Sequence, residues 1–172
     1  SPLLLRECGV SWCIVGHSER REYFSETNEL ISEKIEILIK YGIRPILCVG
    51  ETLEQRKSSK YEEVIVEQLR AGLSKIKSNI LDRCAIAYEP VWAIGTGETP
   101  ESNEVNIIHK MIRKELAFLS NIDQAEKIQI IYGGSVNSEN ASNFLSMEEI
   151  DGALVGGASL IPESFQKIIR SL

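Results

Sequence analysis

The stretch Ala85-Ile86-Ala87-Tyr88-Glu89-Pro90-Val91-Trp92-Ala93-Ile94-Gly95-Thr96-Gly97 holds a short apolar run, a carboxylate and a glycine-ended loop in one window. Residues 84–88 have the continuous apolar character of a parallel strand buried on both faces. Glu89 follows at its carboxyl end, where parallel α/β folds carry catalytic groups. Pro90 fixes φ at the loop's first residue and removes a donor. Val91, Trp92, Ala93 and Ile94 are apolar where loops are normally polar, and Gly95 and Gly97 let the backbone swing or approach a ligand closely. Such a loop reads as a lid that excludes water over a base. The alternative is a hydrophobic connection simply buried in a core.

Outward from this window, strand and helix alternate. Apolar or β-branched runs predict strands at 9–15, 43–49, 84–88, 128–132 and 151–155. Helical spacing predicts a helix capped by Thr27 or Asn28 and running to Tyr41, with Gly42 in the left-handed position beyond it. Further helices are expected at about 61–78, after Pro100, at 138–145 and from about Pro162. Each strand is thus followed by a helix, which implies parallel strands joined by right-handed crossovers. Two α/β architectures satisfy this pattern, a doubly wound open sheet and a segment of a (β/α)8 barrel. The dinucleotide glycine fingerprint is absent after every strand, which counts against the first. No linker divides the chain, so residues 1–172 are expected to form a single domain.

Composition narrows the function classes. The net charge of −6, from 25 acidic and 19 basic residues, offers no basic stripe for nucleic acid. No apolar run approaches the length that crosses a bilayer. Cys8, Cys13, Cys48 and Cys84 lack metal-ligand spacing and read as small reduced core residues of a cytoplasmic protein, although four cysteines can also form two disulfides. No metal site is expected.

The other strand ends supply chemistry. His17, in Gly16-His17-Ser18-Glu19-Arg20-Arg21, is a candidate acid or hydrogen-bond donor, the alternative being a capping or buried histidine. His109 lies in a helical pattern and reads as structural. Glu51, after the second strand, either orients a neighbour or faces solvent. Tyr132-Gly133-Gly134-Ser135-Val136 and Val155-Gly156-Gly157-Ala158 place glycine pairs on the last two strand ends. Backbone amides and a helix dipole there can bind a phosphate without lysine or arginine. A carboxylate base, an imidazole, an anion cradle and a lid together suit proton transfer beside a carbonyl in a small phosphorylated molecule.

These four motifs, together with Asp151-Gly152-Ala153-Leu154-Val155, resemble triosephosphate isomerase in order and over essentially the whole chain. The resemblance implies the TIM (β/α)8 barrel, here only about strands four to eight, and interconversion of dihydroxyacetone phosphate and glyceraldehyde 3-phosphate. In this family a glutamate base works beside a neutral histidine. It therefore implies that Glu89 shuttles the proton, that His17 is the electrophile and that Glu19 is a supporting carboxylate. Gly95, Ser135, Gly156 and Gly157 match its phosphate-binding positions, residues 90–98 its mobile lid, and Cys48 a cysteine packed near the base. No cofactor is implied; a homodimer is.

A complete barrel of this kind has about 250 residues. The chain is thus expected to be a portion of a longer enzyme, lacking the family's substrate-side asparagine and lysine and its dimer loop, and not to be a self-sufficient catalyst. Neither Lys57 nor Lys60 falls in a matching motif. Five strands alone would leave two open edges and an uncovered apolar inner face. The competing expectations are an inactive truncated scaffold and another phosphate-binding barrel enzyme.

Overall fold

Five parallel strands, β1 (Trp12–Val15), β2 (Arg44–Val49), β3 (Ala85–Tyr88), β4 (Ile130–Tyr132) and β5 (Gly152–Ala153), lie side by side in chain order. The structure is a computed structural model and describes residues 1–94 and 98–171. The strand order separates the two architectures left open by the alternation of strands and helices. A doubly wound sheet reverses direction at a switch point, whereas a barrel advances one strand at a time. Here every neighbour is the next strand in sequence, so the sheet is an arc of a barrel. The register aligns Val49 with Tyr88, Tyr88 with Tyr132 and Tyr132 with Ala153. The carboxyl ends therefore share one rim, and the loops after them meet.

Among the described residues, β1 and β5 each pair on one side only. Ile14 on β1 is accordingly 44% exposed, while the whole of central β3 is buried.

The main crossovers are α3 (Asn28–Lys40), α5 (Tyr61–Leu73), α6 (Ser102–Leu119) and α8 (Ala141–Leu145), with α9 (Pro162–Ile169) after β5. Shorter helices are α1 (Pro2–Glu7), α2 (Ser18–Phe24), α4 (Leu53–Lys57) and α7 (Ile122–Ala125). Of the two possible caps for α3, Thr27 is the one used: its side-chain oxygen accepts from the Leu30 amide. Ile31, Ile35 and Leu38 on α3, Ile65 and Leu69 on α5, and Val105, Ile112 and Leu116 on α6 are buried against the sheet. Each such side chain contributes about 1.5–3 kcal/mol.

Several boundaries differ from the sequence reading, for identifiable reasons. The first strand starts at Trp12, because Gly9 at φ +79° and its amide bond to the Arg6 carbonyl close α1. The second crossover helix stops at Leu73; the Ser74 hydroxyl donates to the Ala71 carbonyl, and a 3-10 turn (Ser78–Arg83) follows. The helix expected from 138 begins at Ala141, since Asn137 and Asn140 exchange side-chain-to-backbone hydrogen bonds that hold a turn. The last strand shortens to two residues. Asp151 still donates its amide to the Ile130 carbonyl at 3.0 Å, but it takes the Ile130 amide on its carboxylate, at 2.7 Å, in place of a backbone acceptor, while pairing with Arg113.

Candidate active site

Glu89 extends β3 by one bond on either side. Its amide donates to the Val49 carbonyl at 2.8 Å, and the Gly133 amide donates to the Tyr88 carbonyl at 2.8 Å. Two glycines make room for it. A Cβ on Gly133 would stand 2.9 Å from Glu89 Cγ, and one on Gly50 would collide with the Glu89 carbonyl group. The carboxylate is 2% exposed, yet its oxygens have partners, as a buried charge requires. Oε2 accepts from the Ser18 amide at 3.2 Å, and Oε1 lies 3.3 Å from His17 Nε2. Burial beside this charge pushes the pKa of the neighbouring Cys48 thiol well up. Burial raises the Glu89 pKa above the usual carboxylate range, against the pull of His17, the Ser18 amide, Cys48 and Arg21. A buried carboxylate adjusted in this direction is a better proton acceptor near neutral pH.

His17 reaches this carboxylate because the backbone turns sharply before it. Gly16 adopts φ +74°, a left-handed conformation that favours glycine, and α2 begins directly after the histidine. His17 caps that helix: its Nδ1 accepts from the Glu19 amide at 3.4 Å. In the neutral ring the proton then resides on Nε2, the atom that faces Glu89. The imidazole is thus set as a donor into the space beside the base.

That space is a cleft of about 650 Å³ on the rim of the sheet. Its walls include His17, Glu19 and Glu89 on one side and Ser135, Gly156 and Gly157 on the other. Gly157 opens a 3-10 turn (Gly157–Leu160), and a Cβ on either Gly156 or Gly157 would meet no heavy atom within 4 Å. The backbone there borders open space, as an anion cradle requires. Among the described residues, no group of three His, Cys, Asp or Glu side chains could hold a metal ion.

The loop after Glu89 is anchored at its first turn. Val91–Ala93 form a 3-10 turn, with Ala93 fully buried. The Val91 amide donates to the Glu51 carbonyl at 3.0 Å, and Trp92 Nε1 donates to Glu51 Oε1 at 2.8 Å. Glu51 is 0% exposed and accepts from the Tyr88 hydroxyl and from Arg56 as well. It therefore orients neighbours and does not face solvent. On the other side, Ser135 Oγ donates to the Ala93 carbonyl at 2.5 Å.

Comparison with known proteins agrees with this geometry. A family model described as "Triosephosphate isomerase" matches residues 1–172. The chain belongs to the triosephosphate isomerase family. It is 50% identical over 171 residues to a triosephosphate isomerase of Dictyoglomus thermophilum, covering 99% of this chain and 69% of that relative. A triosephosphate isomerase of Finegoldia magna is 49% identical, with 99% and 68% covered, and one of Caldanaerobacter subterraneus is 46% identical over 170 residues, with the same coverage.

Of the positions that the sequence matched to triosephosphate isomerase sites, His17, Glu19, Glu89, Ser135, Gly156 and Gly157 line the one cleft. Gly95 lies outside the described residues. Glu19 touches His17 through its backbone amide, and its side chain is exposed at the cleft rim. The Ser135 hydroxyl is engaged with the first turn of the loop after Glu89. The sequence reading missed the Ser18 amide and left Glu51 open between orienting a neighbour and facing solvent. The first was signalled by its place at the start of a histidine-capped helix. The second had no local signal, because its partners arrive from three other segments.

Proposed function

We propose that Glu89 is the base in the family's interconversion of dihydroxyacetone phosphate and D-glyceraldehyde 3-phosphate. The observation that carries the reading is the buried Glu89 carboxylate, 3.3 Å from His17 Nε2 at the wall of an open cleft. Glu89 takes a proton from the carbon beside the substrate carbonyl. The released electron pair forms the carbon–carbon double bond of an enediolate, and the carbonyl electrons move onto oxygen. The Nε2–H of His17 stabilises that oxygen and gives it a proton, the imidazole regains one from the hydroxyl on the neighbouring carbon, which becomes the new carbonyl, and Glu89 returns its proton to the former carbonyl carbon. Glu19 acts as a supporting carboxylate. Gly95, Ser135, Gly156 and Gly157 bind the phosphate, whose contacts help hold the lid shut.

A homodimer and a cytoplasmic location accompany this reading. The family resemblance supports the first, as do Tyr23 and Phe24, which are 70% and 67% exposed on α2 beside the site. The four free thiols support the second.

Incubation with dihydroxyacetone phosphate in deuterated water tests the chemistry. The expected result is one deuterium at the reacting carbon, lost in Glu89→Gln. Exchange that persists in Glu89→Gln would reject Glu89 as the base. Binding of a phosphoglycolate-like mimic, weakened by substitution at Gly157, tests the cradle separately.

A further inference from the structure

Arg21 sits four residues after His17 and outside the cleft, yet its guanidinium holds the backbone on which the site is built. Nε donates to the Gly16 carbonyl at 2.7 Å and Nη2 to the Cys48 carbonyl at 3.2 Å. Nη1 donates to Asn28 Oδ1 at 2.7 Å, so α3 orients the fork. Gly16 precedes His17, and Cys48 precedes Val49, whose carbonyl accepts the Glu89 amide at 2.8 Å. One planar group thereby ties the exit of β1 to the end of β2. The strand ladder does not do this for Gly16: its amide goes to Glu26 Oε2 at 3.1 Å and its carbonyl to Arg21.

We propose that Arg21 is a positioning residue for the isomerase reaction, clamping the Gly16 and Cys48 carbonyls so that His17 Nε2 stays opposite the Glu89 carboxylate. The proposal rests on Glu89 being the base. A guanidinium suits the task because its donors are rigid and coplanar and its charge is permanent, whereas a lysine is a flexible point charge. The charge has a second consequence. The charged and titratable groups around Glu89 are His17 and Glu19 at the start of α2, Cys48 on β2, and Arg21 with Glu26 behind them. Arg21 is the permanently charged cation among these, and it works against the burial of Glu89. Glu26 does not cancel it fully, being paired with Arg20 and Lys34 as well.

Arg21→Lys, Arg21→Gln and Asn28→Ala separate fork from charge. The readouts are kcat, KM and the titration of the Glu89 carboxyl by carbon-13 NMR, assigned with Glu89→Gln. Arg21→Lys keeps the charge and loses the fork, so kcat should fall about tenfold with KM nearly unchanged and the Glu89 titration in place. Arg21→Gln loses both; kcat should fall about a hundredfold and the Glu89 midpoint should move to higher pH. Asn28→Ala loosens the fork at a half-buried helix start, and kcat should drop severalfold with the titration unmoved. Parental kcat in Arg21→Lys and Asn28→Ala, with only thermal stability reduced, would overturn the proposal even if Arg21→Gln did not fold. An unmoved Glu89 midpoint in folded Arg21→Gln would overturn the electrostatic part. Failure of the base assignment shows up elsewhere, as turnover retained in Glu89→Gln.

Discussion

The indole nitrogen of Trp92 donates to Glu51 Oε1 at 2.8 Å, joining the loop that follows β3 to the residue just beyond β2. Tyr88, one residue before the base, donates to the same carboxylate through its hydroxyl at 3.2 Å. Arg56 approaches at 3.4 Å and also pairs with Glu104 on α6. Glu51 is therefore an acceptor shared by β3 and the loop that follows Glu89. Glu51→Gln replaces one accepting oxygen by a donor facing other donors. It should lower stability by about 2–4 kcal/mol and reduce turnover through a loosened lid anchor. Chemical denaturation with parallel kinetics checks this, and an unchanged midpoint would show that the donors find equivalent partners.

Two glycines at the same rim should respond in opposite ways to one added methyl group. At Gly50 a Cβ would strike the Glu89 carbonyl, which belongs to backbone and cannot swing away. Gly50→Ala should therefore cost about 3 kcal/mol or more and displace the base. At Gly157 a Cβ meets nothing. Gly157→Ala should leave stability within about 0.5 kcal/mol while raising KM, because the methyl enters space meant for phosphate. Melting curves and KM for the pair decide it; an unchanged KM in Gly157→Ala would remove that residue from the cradle.

The strands, the crossovers and the rim were legible because they follow from local pattern. Buried parallel strands read as apolar runs, and the groups ending them, Glu89, His17 and the paired glycines, come directly afterwards. What was not legible depends on distant segments. A glutamate after a strand ordinarily faces water, and only the convergence of Tyr88, Trp92 and Arg56 buries Glu51. Asp151 has the position of a first strand residue, but its carboxylate substitutes for the backbone and trims β5. The role of Arg21 also depends on a carbonyl 27 residues away.

Glu89→Asp tests how finely the base is placed. The carboxylate reaches the Ser18 amide and His17 from a backbone pinned to Val49. Shortening the side chain by one methylene withdraws it by about 1 Å, and misplacement of that size costs on the order of a hundredfold in rate. The proposed phosphate positions Ser135, Gly156 and Gly157 are other residues of the cleft, so KM should change little. Steady-state kinetics distinguish the two parameters, and parental kcat would reject Glu89 as the base.

His109 links acidity to stability. It is 0% exposed on α6, packed edge-on to Tyr88 with ring centroids 5.9 Å apart. Its Nδ1 lies 3.1 Å from the Glu149 carbonyl oxygen, which can only accept, so Nδ1 carries the proton and Nε2 is left without a hydrogen bond. Burial lowers its pKa to about 4, outweighing the pull of the Glu149 carbonyl and Asp151, while Arg113 also lowers it. The unfolded chain, with histidine near 6.5, binds the proton first as pH falls, so protonation favours unfolding. Stability contributed by neutral His109 is complete above about pH 6.5 and declines towards pH 4. At about 1.4 kcal/mol per tenfold difference in proton affinity, the loss from this residue is roughly 3 kcal/mol. His109→Gln keeps a donor for Glu149 and cannot take up the proton, so its urea midpoint should fall less steeply between pH 6.5 and 4. Equal slopes in parent and variant would place the acid sensitivity in other groups.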